Sequence, residues 1–487
     1  MKTRRDFLKT LGFGGVAFAL QGCTNRLKLA SSGPLPKPNI IFIMTDDQAP
    51  WAFGAAPNPQ ARTPNMDRLC AEGARLTNCF VTTPVCSPSR ASLLTSRYST
   101  EVGITDFIKS PKAGLDVSFA AWPRVFADAG YVTALVGKWH LGEMDKYHPT
   151  LYGYHEFTGF RWGGKVSKDP EVEVNGRVSR VAGYEPDILT DYATDFIRRR
   201  KNGPFVLSLH FWAPHASTVY KTQKGEHTWL PLKDEDWLPF KDKDVTLPEP
   251  DYPNLDIPRA KRMMREYLAS VASVDRNLGR LLIAMDELNL AHNTVIIFTS
   301  DNGYNMGHNG IWAKGNAEYL LTNKRTDRPN LYDNSLRVPT FIRWPGRIRP
   351  GSTVEQTISF LDWFPTLTAI AGLDVPKDTI IRGRNFLPLL QGQSVEWDND
   401  LFAQYNMRGA GDMRTYRTPR WKLVRDFKHV IKDELYDLVK DPAETTNLID
   451  LPDPGIQKQR EVLNTKLLAK MRSINDPALR QVNNAGL

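Results

Sequence analysis

The stretch Asn39-Ile-Ile-Phe-Ile-Met-Thr45 is a continuous apolar run that leads directly into Asp46-Asp47. A run of this length is too short for a core helix and has the composition of a strand buried on both faces. Three further runs, at residues 131–136, 205–212 and 294–300, have the same character, and each also ends in polar residues. These four runs predict the centre of a sheet.

Amphipathic stretches separate the apolar runs, an alternation typical of a mostly parallel α/β sheet. Residues 259–288 repeat apolar positions at helical spacing and predict a long helix on one face of that sheet. A chain of 487 residues suits one large domain and a smaller one. We therefore predict a large mixed, mostly parallel sheet flanked by helices over residues 36–390. A smaller α+β subdomain, with an antiparallel sheet and a final helix, is predicted over residues 391–487.

The polar ends of the four runs are the first candidate site. In an open α/β sheet, ligands bind beyond the carboxyl ends of the strands, so these ends should converge on one crevice. An aspartate after a strand is often only a cap or turn residue, but four such ends together favour a site. The residues concerned are Asp46, Asp47, Lys138, His140, His215, Asp301 and Asn302.

The residue types at these ends indicate the chemistry. The three aspartates and the asparagine offer only oxygen ligands, which suit Ca²⁺ or Mg²⁺ rather than zinc. Lys138, His140 and His215 add cationic and proton-transfer groups around the metal. Such a mixture handles an anionic group that carries several oxygens.

Cys86 lies between Pro84 and Pro88, with Arg90 four residues later. Pro88 suits the first turn of a helix, and Ser87 is the expected N-cap. The cysteine would then lie at a helix N-terminus, where the dipole favours an anion and lowers a thiol pKa. Arg90 is placed to grip whatever is bound there, and a plain free thiol is the alternative.

The first 23 residues are expected to be an export signal rather than part of the fold. Arg4 and Arg5 precede a short apolar segment at 11–20, which resembles a twin-arginine signal. Its end fits either cleavage after 17–19 or a lipobox that would acylate Cys23, and the lipoprotein is slightly favoured. The expected location is the periplasm or the outer membrane, with membrane contact only through that anchor.

The net charge indicates the class of binding partner, and the cysteine count bears on disulfide formation. The formal net charge of +9 suits a polyanionic substrate, whereas an exported chain without a basic run is not expected to bind nucleic acid. Beyond Cys23, the odd number of cysteines excludes a simple disulfide framework. Cys70 and Cys79 are expected to be buried apolar residues.

The stretch from Cys86 to Thr95 resembles the C-x-P-S-R-x-x-x-L-T-G signature of the formylglycine-dependent type I sulfatases, of the alkaline phosphatase-like superfamily. Residues 130–140, Gly-Tyr-Val-Thr-Ala-Leu-Val-Gly-Lys-Trp-His, are similar to the second signature of that family. The likeness continues in order through the segments 45–48, 213–215, 300–303, 312–315, 336–339, 434–438 and 441–442. It therefore spans nearly all of the chain after the signal.

The resemblance implies that a formylglycine-generating enzyme oxidises Cys86 to formylglycine. One hydroxyl of the hydrated aldehyde would attack the sulfur of a sulfate ester, and the other would expel sulfate from the covalent intermediate. It implies one Ca²⁺, held by Asp46, Asp47, Asp301, Asn302 and residue 86.

The resemblance also assigns roles to the remaining site residues. Arg90 would hold the formylglycine, Lys138 and Lys314 would bind sulfate oxygens, and His140 would assist the diol. His215 would contact or protonate the leaving oxygen. The implied substrate is a sulfated carbohydrate.

Two departures and two insertions bear on specificity. Ser96 replaces the final glycine of the first signature, and residues 306–310 differ from the family pattern, so His308 is a candidate substrate contact. The insertions at 216–258 and 316–330 are expected to frame the pocket. The second insertion supplies three candidate substrate contacts, Lys324, Arg325 and Arg328.

Three alternatives remain open. A phosphodiesterase of the same superfold commonly uses Ser or Thr and transition metals, and a phosphonate monoester hydrolase has histidine where Asn302 stands. Cys86 and Asn302 favour the sulfatase over both. An inactive polysaccharide-binding homologue is disfavoured because all the catalytic positions are present.

Overall fold

The run Asn39–Thr45 lies inside a ten-stranded sheet, as its composition predicted. The computed structural model describes residues 37–56, 58–164, 167–217, 227–316, 328–407, 409–429 and 432–480. The export signal predicted over 1–23, with Cys23, lies outside this range. None of the helices within it combines the length and apolarity needed to cross a bilayer.

Sixteen strands lie in the described ranges. They are β1 (Asn39–Thr45), β2 (Ala74–Leu76), β3 (Cys79–Phe80), β4 (Val132–Lys138), β5 (Glu156–Phe160), β6 (Glu171–Val174), β7 (Arg177–Arg180), β8 (Phe205–His210), β9 (Thr294–Ser300), β10 (Phe341–Arg343), β11 (Ser352–Val354), β12 (Ile358–Ser359), β13 (Leu401–Met407), β14 (Gly411–Arg417), β15 (Trp421–Asp426) and β16 (Glu434–Asp437).

Ten α-helices accompany these strands over the same ranges. They are α1 (Pro64–Ala71), α2 (Cys86–Thr95), α3 (Trp122–Asp128), α4 (Glu185–Arg200), α5 (Asp234–Lys241), α6 (Ile257–Glu287), α7 (Asp333–Leu336), α8 (Trp363–Ile370), α9 (Leu387–Leu390) and α10 (Pro454–Ser473).

The large sheet has the order β11-β2-β10-β9-β1-β8-β4-β5-β6-β7. Its central strands β9, β1, β8, β4 and β5 are parallel, whereas β10, β6 and β7 pair antiparallel to their neighbours. The predicted fold class, a mixed and mostly parallel sheet flanked by helices, is confirmed.

Strand β1 alternates between two hydrophobic cores. Phe42 and its even-numbered neighbours face α2, α3 and α8, and the Phe42 ring meets Trp363 edge-on at 5.4 Å. Ile41 and Ile43 face the other core, which is closed by α1, α4 and α6. Both faces are covered, which explains why the strand reads as a continuous apolar run.

Helix α6 is the long helix predicted over residues 259–288. It begins two residues earlier, at Ile257, where the Asp256 side chain accepts a hydrogen bond from the Arg259 amide at 3.1 Å. Over its 31 residues it buries a continuous face that includes Met263 and Tyr267. The Tyr267 hydroxyl donates to the Asp47 carbonyl at 2.9 Å, so this helix supports the end of β1.

The C-terminal part contains an antiparallel sheet, β13-β14-β15-β16, with α10 packed on β14 and β15. Buried ion pairs tie this sheet to the preceding chain, since Arg417 and Lys422 both bond Asp333 at 2.9 Å. Residues beyond 36 cluster as one compact unit. The predicted boundary at 390–391 therefore stays a prediction.

Candidate active site

The site lies where four neighbouring strands end. Strands β9, β1, β8 and β4 are adjacent and parallel, so the residues that follow them emerge at one edge of the sheet. The structure brings the predicted strand-end residues together there. Two more predicted residues join them, Cys86 at the start of α2 and Lys314 from the loop after β9.

Asp46 and Asp47 are the buried acidic centre of the site. The Lys138 ammonium donates to Asp46, and the Lys314 ammonium donates to Asp47. Burial acts to raise the pKa of Asp46, but the surrounding cations, Lys138 foremost, hold it well below its ordinary value. The Asp46 side chain is therefore available as a carboxylate.

Helix α2 begins at Cys86, earlier than predicted. Val85 is the N-cap residue, and it makes no side-chain cap. The prediction of Ser87 as the cap is wrong, because the Ser87 hydroxyl instead accepts a hydrogen bond from the Ile108 amide at 3.1 Å. This contact fixes the loop near residue 108 against the first turn.

Cys86 is buried, with 3% of its surface exposed, and its immediate environment is polar. Its sulfur donates to Asp46 Oδ1 at 3.3 Å and accepts from Lys314 Nζ at 2.9 Å. Burial, helped by Asp46, raises the pKa of this thiol to about 12. The expectation that the helix N-terminus lowers the thiol pKa is therefore wrong, because desolvation and a neighbouring carboxylate outweigh the helix dipole.

Arg90 ties three elements of the site together. Its Nε donates to Asp301 Oδ2 at 2.9 Å, and its Nη1 donates to the Lys138 carbonyl at 2.8 Å. The side chain is buried, and its Nη2 bonds none of the residues that the structure describes. Arg90 thus links α2 to the ends of β4 and β9 and adds positive charge beside residue 86.

The two predicted histidines, His140 and His215, both line the cavity at the cluster. His215 Nε2 lies 3.6 Å from Asp47 Oδ2, and its ring stacks on Trp212. His140 is buried against Trp162, and no described residue bonds its Nδ1. Burial, with Lys138, lowers the pKa of His140 well below its ordinary value, so its ring is neutral.

The donor atoms fit a hard cation. Asp46, Asp47, Cys86 and His215 each place one ligand atom within 4.8 Å of the others. Asn302 Oδ1 is also buried at this point and accepts no hydrogen bond from the described part of the chain, while Asn302 Nδ2 donates to Asp47 Oδ1 at 2.7 Å. Carboxylate and amide oxygens in this arrangement are ligands that suit Ca²⁺ or Mg²⁺.

A cavity of about 270 Å³ opens above Cys86. Its walls are largely aromatic and include Phe107, Trp162 and Trp312. Both predicted insertions reach its rim, since Ala216 and His227 come from the first and Asn316 from the second. The cavity therefore joins a charged floor to apolar walls.

The predicted substrate contacts fall elsewhere or outside the described residues. His308 does not line the cavity: its Nδ1 bonds the Asn305 carbonyl at 2.6 Å, and its ring lies against Trp51. Arg328 pairs with Glu434 at 2.5 Å, towards the C-terminal sheet. Lys324 and Arg325 lie outside the described ranges.

Sequence reasoning missed several residues that shape the site. Phe107 and Trp162 form cavity walls, yet they come from segments without a recognisable motif. Glu185 accepts hydrogen bonds from the Trp212 and Ala213 amides and so holds the loop that carries His215. The one available signal was Gly163-Gly164, because paired glycines mark a close approach of the backbone.

Comparison with known proteins defines the class. A family model described as sulfatase matches residues 38–373, and a second, described as N-sulphoglucosamine sulphohydrolase, C-terminal, matches residues 321–473. The chain belongs to the sulfatase family and is a hydrolase of sulfate esters. The predicted family is thereby confirmed.

Individual relatives cover most of the chain. An N-acetylglucosamine-6-O-sulfatase of Bacteroides thetaiotaomicron is 29% identical over 95% of this chain and 90% of its own length. An N-acetylgalactosamine-6-sulfatase of Homo sapiens is 30% identical over 75% of this chain and 68% of its own length. A solved structure in complex with its substrate D-glucosamine-2-N,6-O-disulfate superposes with a TM-score of 0.77 at 26% identity, covering 91% of this chain and 99% of the other.

Proposed function

We propose that this chain releases sulfate from a sulfated carbohydrate bound in the cavity above Cys86. The observation that carries the proposal is the cluster of Cys86, Lys314 and Asp47 on the floor of that cavity. The names of the relatives support the substrate class, since two of them act on 6-sulfated amino sugars. Aromatic walls suit the apolar face of a sugar ring.

Calcium is the proposed metal. Asp46, Asp47, Asp301 and Asn302, together with residue 86, would hold it, and their oxygens agree with that choice. When bound, the cation would polarise the sulfate oxygens and offset their charge. The ion pair between Arg90 Nε and Asp301 Oδ2, at 2.9 Å, holds the Asp301 side chain in place.

Formylglycine is the proposed form of residue 86, made by a formylglycine-generating enzyme. When present, its hydrate supplies a hydroxyl that attacks sulfur and a second that releases sulfate. The high thiol pKa agrees with this proposal, because an unmodified Cys86 would be a poor nucleophile at neutral pH.

Four further side chains have proposed roles in binding sulfate or in proton transfer. Lys138 and Lys314 are the proposed ligands of the sulfate oxygens: the Lys314 ammonium lies in the cavity lining beside Asp47, and the Lys138 ammonium lies beneath it at Asp46. His140, which lines the cavity together with residue 86, would assist the diol. His215 would contact or protonate the leaving sugar oxygen.

We propose the domain boundary and the cellular location that the sequence predicted. Residues 36–390 form the catalytic domain and 391–487 the C-terminal subdomain, which the match of the second family model to residues 321–473 supports only in part. The signal at 1–23 directs export, and Cys23 is the proposed lipid anchor.

The test measures sulfate release from three sugars: N-acetylglucosamine 6-sulfate, N-acetylgalactosamine 6-sulfate and glucosamine 2-N,6-O-disulfate. The protein is produced together with a formylglycine-generating enzyme, and Cys86→Ala is the inactive comparison. We expect sulfate from at least one sugar and none from the variant. Hydrolysis of an aryl sulfate is also compared with that of the matching aryl phosphate. Faster hydrolysis of the phosphate would contradict the proposal.

A further inference from the structure

A second cavity, of about 560 Å³, opens at the same edge of the sheet as the catalytic cavity. It is bounded by the loop after β1 and by the chain that leads into β10. Because β10 runs antiparallel to β9, the start of β10 lies beside the carboxyl end of β9. Trp51, only four residues after Asp47, forms one wall.

Two residues that line this cavity carry a buried donor without a partner among the described residues. The donors are Trp51 Nε1 and Arg337 Nε. No hydrogen bond or ion pair joins the Arg337 guanidinium to another described residue. Buried donors are nearly always paired in folded proteins, and an arginine can only donate, so both point to an acceptor-rich ligand.

The charge around Arg337 also favours an anion. Two carboxylates act on Arg337, and both are already engaged: Asp333 pairs with Arg417 and Lys422, each at 2.9 Å, and Glu444 pairs with Lys422 at 2.6 Å. Arg75 adds a second guanidinium to the lining, held by the Ala55 carbonyl at 2.9 Å. Among the described lining residues, Glu355 is the single carboxylate, and it is exposed at the rim.

The cavity is close to the catalytic one. The Trp51 ring lies 5.8 Å from the Tyr267 ring, which stacks at 5.3 Å on Tyr304. Tyr304 lines the catalytic cavity. The Trp51 ring is also 5.8 Å from that of His308.

We propose that Trp51, Arg75 and Arg337 form a binding site for a second anionic group, a sulfate or carboxylate carried by the carbohydrate beside the sugar that is hydrolysed. The guanidinium of Arg337 binds the anion through two nitrogens, and the indole of Trp51 donates to it and packs on the sugar. This inference rests on the proposed function, because it extends the same substrate.

The first test is binding of a sulfate analogue. Crystals of the wild type, Arg337→Gln and the surface control Arg349→Gln are soaked in selenate, and selenium is located by anomalous diffraction. We expect a peak between Arg75 and Arg337 in the wild type and the control, and no peak in Arg337→Gln. Should Arg337→Gln not fold, Trp51→Phe, which removes only the indole donor, is expected to weaken the peak. Absence of this peak in the wild type overturns the site.

The second test separates a sugar-borne anion from a free one. KM and kcat are measured for N-acetylglucosamine 6-sulfate and for a disaccharide that joins this sugar to a uronate. In Arg337→Gln and Trp51→Phe we expect KM to rise at least tenfold for the disaccharide only, with kcat unchanged. A selenate peak with equal KM values would mean an adventitious ion only and would overturn the proposal. A wild type inactive on both sugars would contradict the proposed function instead, and the selenate peaks would then decide the anion site.

Discussion

The Cys86 sulfur lies 2.9 Å from the Lys314 ammonium, although 228 positions separate the two residues in the sequence. The same ammonium donates to Asp47, so it connects the start of α2 to the end of β1. A cation in this position meets the negative charge of any sulfate that approaches residue 86. Removal of the Lys314 side chain is therefore expected to reduce the turnover of sulfate esters directly.

Replacing Lys314 with alanine is expected to lower kcat/KM for an aryl sulfate by about 100- to 1000-fold, as for other donors to a developing oxyanion. Steady-state kinetics measure this loss. Lys440→Ala, at an exposed position, is the control and should match the wild type. A change of less than threefold in Lys314→Ala would remove this lysine from the mechanism.

Gly163 and Gly164 provide a matched pair of substitutions. A Cβ atom at Gly163 would lie 2.2 Å from His140 Nε2, whereas one at Gly164 would have no described residue within 4 Å apart from its chain neighbours. Gly163→Ala should displace His140 and lower kcat by about 100-fold, since small misplacements of catalytic groups are costly. Gly164→Ala should keep most of the activity. Equal kinetics for the two variants would show that His140 is not critical.

Calcium is expected to stabilise the folded protein independently of turnover. At a hundredfold excess over its Kd, a ligand of the native state adds about 2.7 kcal/mol. Thermal unfolding of the wild type should therefore shift upwards with CaCl₂ and downwards with a chelator. Asn302→Ala should lose most of this shift, and the exposed control Asn202→Ala should retain it. A wild-type melting temperature indifferent to calcium would contradict the metal site.

Glu185 predicts a pH dependence of stability. Burial raises its pKa from an ordinary 4.5 to about 8 in the folded protein. Between pH 4.5 and pH 8 the folded state keeps a proton on Glu185 that the unfolded state has lost. The free energy of unfolding therefore falls as the pH rises through this range. The effect reaches about 1.4 kcal/mol per pH unit.

Glu185→Gln removes that contribution while retaining an acceptor for the Trp212 amide. The melting temperature of the variant, relative to the wild type, should therefore rise steadily from pH 5 to pH 8. Glu287→Gln, at an exposed position, should show no such trend. Parallel curves for Glu185→Gln and the wild type would show that this carboxyl is ionised in the folded protein.

Much of the fold was predictable because strands buried on both faces have an unmistakable composition. The run from Asn39 to Thr45 is an example, since every residue in it is buried. Placing polar residues at the ends of such strands then predicted their convergence. The order of the strands was not predictable, because it depends on how helices such as α6 pack across the sheet.

The details that failed depend on contacts between distant segments. Ser87 has the composition of an N-cap, but its hydroxyl is used by the Ile108 amide instead. Trp162 lies against His140, and Glu185 accepts a hydrogen bond from the Trp212 amide. Both contacts join segments that are distant in the sequence, so neither was predictable from a local pattern. Ser96 is a milder case: as the C-cap of α2 it has a φ of 55°, the left-handed conformation that favours the glycine of the family signature.

The most direct test of the account is the chemical state of residue 86 in active protein. Mass spectrometry of the peptide that contains this residue distinguishes cysteine from the lighter formylglycine. We predict that preparations which release sulfate carry formylglycine at residue 86, in proportion to their activity. Fully active protein with an unmodified Cys86 thiol would contradict the central claim.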